Sequence, residues 1–426
     1  MPIDWSSLWK REDWWAVWLG LVVLALAITN IVTRLPKINA WTTDPFFVLT
    51  ANGLIDLFVL GLGLAAITSV ALLAMRQQVR QYLLGFPTIF ILAFLAQVLS
   101  KQEVLNSLGI EYVLWALVFG LLISNIIGTP KWLEPATKSE LFIKIGLVIL
   151  GAEILFGTIM KAGALGIFEV TVGLMMVWYF AYFVSKKLGL TKSFSAVMAT
   201  ATSVCGVSAA IAAGGAIEGD KKEVSYVISL VLLFAAPMMV LFPAIGKLIG
   251  MPDAVAGAWI GGTIDNTASV AASGALYSDQ ALQIASIIKM SQNILIGVIA
   301  FLLALYWTLK VNATTGQQPK KIEIWYRFPK FVIGFFVASI VFSLILTPTL
   351  GSGAVSDIST ITKGFRNWFF AMTFVSIGLN TNFKEMIKIG KGKPLIAFIV
   401  ATGWDTILSL ITAYVFFGGI FFPPPI

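Results

Sequence analysis

The sequence predicts an all-α polytopic membrane protein, on the grounds of its composition, its apolar segments and their length. Of its 426 residues, 58% are hydrophobic and 12% are charged, whereas soluble domains carry ~25% charged residues. Roughly thirteen apolar segments follow one another with short connections, and most are close to the ~20 residues that a spanning helix needs. We therefore expect one integral membrane domain over residues 1–426.

The apolar segments are runs of mostly apolar residues that end at polar or turn-forming residues. They lie at residues 14–33, 53–75, 79–99, 110–128, 139–161, 163–188, 193–216, 222–249, 253–275, 278–309, 328–347, 365–382 and 393–420. Two of them, 193–216 and 253–275, carry small and polar residues near their centres. We expect these two to be broken or re-entrant helices, because irregular backbone at membrane depth is tolerated where it lines a cavity.

The basic residues indicate how the chain is oriented. Of the 29 Lys and Arg residues, 19 fall at the N-terminus and in even-numbered connections, and 8 fall in odd-numbered ones. Basic residues prefer the cytoplasmic side, so the N-terminus is expected in the cytoplasm and, after thirteen crossings, the C-terminus outside. The same anchoring explains the net charge of +8 without any nucleic-acid partner.

Two internal similarities suggest repeats. Residues 202–217 resemble residues 261–276 at an offset of 59, and residues 151–163 resemble residues 378–390 at an offset of 227. The second similarity joins segments five and twelve, which would run in opposite directions, as the halves of an inverted repeat do. Chance similarity between helices rich in small residues is the alternative in both cases.

The strongest chemical signal is the run GGTIDNTAS at residues 261–269, which places Asp265, Asn266, Thr267 and Ser269 inside an apolar segment. A charge at bilayer depth costs ~2.5–3.5 kcal/mol on insertion scales, so this cluster needs a partner, a cavity or an ion. Unwound backbone at this depth also exposes N–H and C=O groups that bind solutes. The alternative is a structural polar cluster between helices.

The matching segment offers Ser203, Cys205, Gly206 and Ser208. A half-helix that begins near Gly206 would direct its N-terminal amides at an anion. Ordinary packing of small residues is the alternative, and Cys205 alone is as well explained as a small buried hydrophobic residue.

Two further charges lie inside apolar segments. Lys289 shares a helix face with Asn293 at i, i+4, and it could pair with Asp265 or bind an anionic substrate, although a lysine can also extend to the interface. Glu153 and Asp265 are the candidate sites for a coupling proton or cation. Glu153 is favoured because it belongs to the second internal similarity. Glu169 and Asp405 are intramembrane carboxylates as well.

Enzyme chemistry is not expected. The chain has no histidine and a single cysteine, which excludes His-ligated metals and internal disulfides, and it carries no metalloprotease, P-loop or nucleophile-elbow motif. We expect no metal, no cofactor and no catalytic residue.

The runs VCGVSAAIAA (204–213), GGTIDNTASVAASG (261–274) and ASIIK (285–289), with DWWAVWLG at 13–20, are similar to the bacterial sulfate exporter family. The resemblance covers most of the chain. It implies a secondary carrier of the inner membrane, similar to cation–proton antiporters and bile-acid symporters, with inverted repeats and crossing unwound helices. Many members carry His-Asp followed by Val-Ala-Gln where this chain has residues 265–269, so sulfate is one candidate among small anions.

Together these features predict a secondary active transporter that works by alternating access. Its solute would be a small anion, such as sulfate, a sulfonate or another organic anion, coupled to H⁺ or Na⁺. A homodimer in the lipid bilayer is a further expectation, because carriers with a fixed scaffold are often dimers. An ion channel and a non-transporting membrane scaffold are the alternatives.

Overall fold

The computed structural model describes residues 6–45, 48–107, 112–154, 156–307, 325, 328–382, 392–419 and 421–423. Within these residues the chain is helical and contains no β-strand. Seven of the described helices are long and apolar enough to cross a membrane. The predicted all-α polytopic class is therefore confirmed, whereas the count of thirteen segments is not.

The chain divides into two compact units. Unit 1 comprises Met1–Phe156 and Lys330–Asn382, and unit 2 comprises Gly157–Pro329 and Phe383–Ile426. That residues 1–426 form one membrane domain remains a prediction.

The helices of unit 1 are α1 (Ser7–Lys10), α2 (Glu12–Ile28), α3 (Ala51–Ala74), α4 (Val79–Ser100), α5 (Glu103–Ser107), α6 (Tyr112–Leu122) and α7 (Ser139–Leu150). A π-helical turn, Ile123–Ile127, extends α6, and 3₁₀ turns lie at Glu134–Ala136 and Gly151–Glu153.

Unit 2 holds α8 (Phe156–Lys187), α9 (Lys192–Ser203), α10 (Val207–Ala216), α11 (Lys221–Leu248), α12 (Asp253–Thr263), α13 (Thr267–Tyr277) and α14 (Asp279–Tyr306). The chain then returns to unit 1 with α15 (Phe331–Ile340), the π-helical turn Val341–Leu346 and α16 (Thr347–Asn380). It ends in unit 2 with α17 (Lys393–Phe417).

Polar side chains fix where several helices begin. Thr191 accepts a hydrogen bond from the Phe194 amide at the start of α9, and Ser278 accepts one from the Ala281 amide at the start of α14. Each cap satisfies one of the amides that a helix N-terminus leaves unpaired. The caps therefore set the ends of the helices that carry the candidate site.

Close glycine contacts hold unit 1 together. A Cβ added to Gly120 of α6 would lie 2.7 Å from the Cα of Gly378 of α16. Such contacts let two backbones approach closely, which compensates for the weak hydrophobic drive between helices in lipid. In unit 2, a core rich in alanine joins α9, α10, α11 and α14.

Two predicted boundaries were wrong. The predicted segment 139–161 ends early, because α7 stops at Leu150 and α8 runs unbroken through the predicted boundary at residues 161–163. Gly151 lies so close to α15 that a Cβ would be 2.2 Å from the Phe335 carbonyl oxygen. The helix end thus coincides with a tertiary contact that the hydropathy pattern does not mark.

The second correction concerns residues 348–364, which were expected to connect two segments. Instead α16 is helical across them, with a sharp kink at Gly351, whose φ is 82°. Gly, Ser and Thr lower the hydropathy of this stretch without preventing helix formation, so composition alone suggested a loop.

Candidate functional site

The first predicted break lies between α9 and α10. Helix α9 ends at Ser203, Val204 and Cys205 follow in non-helical positions, and Gly206 caps α10 with a φ of 63°. A positive φ is readily adopted only by glycine, so Gly206 allows the chain to turn within the segment. The cap has no side-chain hydrogen bond, which leaves the first amides of α10 without the usual polar side-chain cap.

The second break lies between α12 and α13. Helix α12 ends at Thr263, and Asn266 caps α13 through its Oδ1, which accepts hydrogen bonds from the Ser269 amide at 2.9 Å and the Ser269 hydroxyl at 3.2 Å. Asp265 lies between the two half-helices and is buried. As the sequence predicted, both polar segments are interrupted helices.

The two breaks touch. A Cβ added to Gly206 would lie 2.1 Å from the Asp265 carbonyl oxygen, so only a hydrogen at this position leaves room for the second break. The offset of 59 residues aligns Gly206 with Asp265, and both helices are interrupted at these positions. Both copies of the internal similarity contain a break, whereas a repeat relationship between them remains a prediction.

Lys289 of α14 reaches this contact from the side. Its side chain is 0% exposed. The Nζ donates a hydrogen bond to the Val204 carbonyl oxygen of the first break at 3.0 Å and to Gln292 Oε1 at 2.6 Å. Gln292 Nε2 in turn donates to the Gly262 carbonyl oxygen at the end of α12 at 2.9 Å. Lys289 and Gln292 therefore join α14 to both broken segments.

The charge of Lys289 is balanced at longer range. The ammonium interacts electrostatically with Asp265, Cys205 and Asp405, but among the described residues no carboxylate forms an ion pair with it within 4.0 Å. An ammonium has three N–H donors, and the two described hydrogen bonds leave the third for another acceptor. A buried cation in this state can bind an anion that enters the site.

Several buried polar atoms around the breaks have no hydrogen-bond partner among the described residues. They are Ser203 Oγ, Thr263 Oγ1 and Asn293 Oδ1. Buried polar atoms are usually hydrogen-bonded, so these atoms are available to a solute or to water. Asn293 Nδ2 donates to Thr267 Oγ1 at 3.4 Å, which ties α14 to the start of α13.

The structure brings most predicted site residues together in unit 2. Ser203, Cys205, Gly206, Asp265, Asn266, Ser269, Lys289 and Asn293 are buried, Thr267 is half-buried, and Ser208 is exposed. Ser208 is nevertheless close enough to the Cys205 thiol to hydrogen-bond with it. Among the described residues, no group of three His, Cys, Asp or Glu side chains is placed to bind a metal ion.

Glu153 belongs to unit 1 and has a different environment. Its Oε2 accepts a hydrogen bond from Arg366 NH1 at 2.7 Å in a largely buried ion pair. A role for Glu153 in ion coupling remains a prediction. The second internal similarity remains one as well, since residues 383–390 of its second copy lie outside the described residues.

Sequence reasoning missed three partners. Gln292, Arg366 and Asp405 had no role assigned, although an ionisable or amide side chain in an apolar segment signals a partner. Arg366 lies near the start of segment 365–382. The hydrogen bond between Arg366 and Glu153 joins residues that are 213 positions apart in sequence, and no periodic pattern in the sequence predicts it.

Comparison with known proteins gives the family. The model described as Conserved hypothetical protein 698 matches residues 84–398. A UPF0324 membrane protein of Nitratidesulfovibrio vulgaris is 42% identical over 385 residues, which are 88% of this chain and 65% of that relative. One from Rhodopirellula baltica is 40% identical over 395 residues, 91% of this chain and 72% of the relative.

The chain therefore spans slightly less than two thirds of the Nitratidesulfovibrio relative. No solved structure matches the chain. The family model covers most of the chain and includes both breaks and Lys289. The protein thus belongs to the bacterial membrane protein family described as Conserved hypothetical protein 698, in agreement with the resemblance drawn from its motifs.

Proposed function

We propose that the protein is a secondary active transporter that moves a small anion across the inner membrane by alternating access. The observation that carries this proposal is the fully buried Lys289, whose Nζ is bonded to the first break while Gln292 ties it to the second. Intramembrane ionisable groups beside discontinuous helices are typical of solute sites in carriers.

The chemistry of the site favours an anion. Lys289 places a buried basic nitrogen at the contact of the two breaks, and the N-cap of α10, Gly206, provides no side-chain hydrogen bond. Helix N-termini carry partial positive charge and bind sulfate, phosphate and carboxylate groups. We therefore propose sulfate, a sulfonate or another small organic anion as the solute class.

Asp265 suits a coupling role. Its carboxylate competes with an incoming anion for Lys289, because both are negative and Lys289 interacts electrostatically with Asp265. A proton or Na⁺ bound at Asp265 removes that competition. Binding of the cation and of the anion would then favour each other, which is the thermodynamic basis of coupling.

Topology and assembly complete the proposal. The matching positions of the two breaks support inverted repeats, and the basic-residue count supports a cytoplasmic N-terminus and an external C-terminus. We propose that the protein forms a homodimer, and we propose no enzymatic activity for it. Accessibility labelling along α9 and α12 would distinguish broken segments that span the bilayer from segments that re-enter it.

Flux in proteoliposomes tests the proposal. Labelled sulfate is the first probe, with sulfonates and carboxylates as competitors. Lys289→Met and Asp265→Asn should each lower the flux at least about 10-fold, because a hydrogen bond to a charged group contributes about 1.5–3 kcal/mol and each variant removes the charge to which the anion or the coupling cation would bind. Lys222→Ala is the matched control, since Lys222 is an exposed lysine of the same unit, and it should keep wild-type flux.

Wild-type flux in both site variants would refute the site. Flux that does not saturate with sulfate concentration would favour a channel instead. No flux of any tested anion, in a folded wild-type protein, would favour the non-transporting scaffold.

A further inference from the structure

A second pair of buried charges lies in unit 2 outside the breaks. Glu169 of α8 is 3% exposed and Asp405 of α17 is 5% exposed. Both lie near the middle of helices that are long enough to cross a membrane. Carboxylates at such depth are costly and are retained where they bind a proton, an ion or a partner.

Each carboxyl group is half satisfied. The Thr412 hydroxyl donates to Glu169 Oε1 at 3.0 Å, and the Ser409 hydroxyl donates to Asp405 Oδ1 at 3.1 Å. The other oxygens, Glu169 Oε2 and Asp405 Oδ2, are buried and have no hydrogen-bond partner among the described residues. A buried oxygen without a partner carries the full cost of desolvation.

The two carboxyl groups are linked to each other and to the breaks. Asp405 interacts electrostatically with Asp265 of the second break, with Lys289 of α14 and with Glu169 of α8. A Cβ added to Gly262 at the end of α12 would lie 3.2 Å from Ser409 Oγ. The Ser409 hydroxyl that binds Asp405 is therefore in contact with the broken segment itself.

A further buried hydroxyl faces the same way. Thr402 lies three residues before Asp405, which places both on one face of α17. The residue is 7% exposed, and its buried hydroxyl has no hydrogen-bond partner among the described residues. Thr402 thus adds a buried hydroxyl without a described partner to the face of α17 that carries Asp405.

The charges of this cluster do not balance. Asp405 interacts electrostatically with two other carboxylates, Asp265 and Glu169, and with the ammonium of Lys289, which also interacts with Asp265. Full ionisation would leave two negative charges in excess, and an ion in a dry interior costs several kcal/mol. A bound proton or cation lowers this cost.

We propose that Glu169 and Asp405 form a proton-binding pair that takes up the proton coupled to anion transport. The proton binds at Asp405 Oδ2 or Glu169 Oε2, where an O–H bond forms and the charge of the pair changes from minus two to minus one. The statement that this proton is coupled to anion transport rests on the proposed function. The statement that the pair binds a proton does not.

A proton suits this pair better than a metal ion does. The pair leaves two carboxylate oxygens free, whereas Ca²⁺ takes about six to eight oxygen ligands and Mg²⁺ about six. The described residues supply no third carboxylate that would complete a metal site. One free oxygen is enough for a proton.

Infrared spectroscopy of the purified protein in lipid tests proton binding without any solute. A protonated carboxyl group has a C=O stretch that is separate from the carboxylate bands. In difference spectra between mildly acidic and mildly alkaline buffer, the wild-type protein should show this band. Glu169→Gln and Asp405→Asn should each weaken it, and the double variant should weaken it further.

Glu140→Gln is the matched control, because Glu140 is 53% exposed and should leave the band unchanged. Thr412→Val keeps both carboxyl groups and removes the donor to Glu169 Oε1, so the band should move to higher frequency. This variant gives an answer even if Glu169→Gln does not fold. A band that is identical in all variants would overturn the proposal, and so would a wild-type band that Na⁺ abolishes.

Flux separates this inference from the proposed function. A pH gradient should stimulate sulfate flux in the wild type and in Glu140→Gln but not in Glu169→Gln. If the wild type moves no anion while the band depends on Glu169 and Asp405, the transport function fails and the proton site stands. If Glu169→Gln is still driven by the pH gradient, the coupling role is wrong.

Discussion

Unit 1 and unit 2 each bury a basic side chain, and they treat it differently. In unit 1, Arg366 forms an ion pair with Glu153 at 2.7 Å, donates to the Asn367 side chain and lies 5.8 Å from the Phe370 ring centre. In unit 2, Lys289 bonds a backbone carbonyl and an amide, while its carboxylates act from farther away.

The difference distinguishes a buried charge whose donors have fixed partners from a buried charge that can still bind another group. The guanidinium of Arg366 is matched by a carboxylate and an amide in fixed geometry, which suits a structural ion pair. The ammonium of Lys289 keeps a donor, and its balance depends on the state of Asp265. A buried charge can therefore stabilise a fold or serve a solute, and the distance to its counter-charge indicates which.

The largest expected effect on stability is at the ion pair between Arg366 and Glu153. Arg366→Met should destabilise the protein by about 3–5 kcal/mol, because it leaves the Glu153 carboxylate buried without its counter-charge. Unfolding of the purified protein in detergent measures this. Lys289→Met should lower the stability less than Arg366→Met does, and it should lower the transport flux much more.

The double variant Glu153→Gln/Arg366→Met sharpens this prediction. Removing both charges should recover much of the lost stability, since no buried charge is left uncompensated. If the double variant lost sulfate flux while folded, Glu153 would have a functional role after all.

An intermediate effect is expected at the contact of the two breaks. Gly206→Ala forces a side chain into a positive φ and against the Asp265 carbonyl oxygen, which should cost about 1–3 kcal/mol and most of the flux. Gly173→Ala is the control in α8, because a Cβ there has nothing within 4 Å. It should be neutral or stabilising by up to about 1 kcal/mol, and equal behaviour of the two variants would contradict a tight contact.

The smallest effect is expected at a cap. Asn266→Ala removes the acceptor for the Ser269 amide and should cost about 1 kcal/mol, with a loss of flux because α13 begins at the site. Thr191→Ala removes an equivalent cap from α9, away from the break. It should cost similar stability and leave flux near the wild-type value; equal flux losses would indicate a general effect of stability.

Much of the fold follows from local sequence. Small and polar residues at the centres of two apolar segments predicted the two breaks. The structure shows how the breaks form, because Gly206 adopts a positive φ and Asn266 caps α13. The run from α15 to α16 and the end of α7 were not predicted. Their limits depend on contacts such as Gly151 against Phe335, which hydropathy does not record.

The candidate site was predictable to a similar degree. Asp265 and Lys289 are charges inside apolar segments, and that alone marks them. The partner of Glu153 and the link between Glu169 and Asp405 were not predictable, since each joins helices more than 200 residues apart in sequence. Only the tertiary structure distinguishes a paired carboxylate from a half-satisfied one.

Cys205 gives the first break a built-in chemical reporter. It is the single cysteine of the chain, it is buried, and it directly precedes Gly206. The unmodified protein can therefore be labelled at one thiol without a cysteine-free background. The rate at which a membrane-permeant maleimide alkylates Cys205 would measure how often the break becomes accessible, and added solute would change that rate.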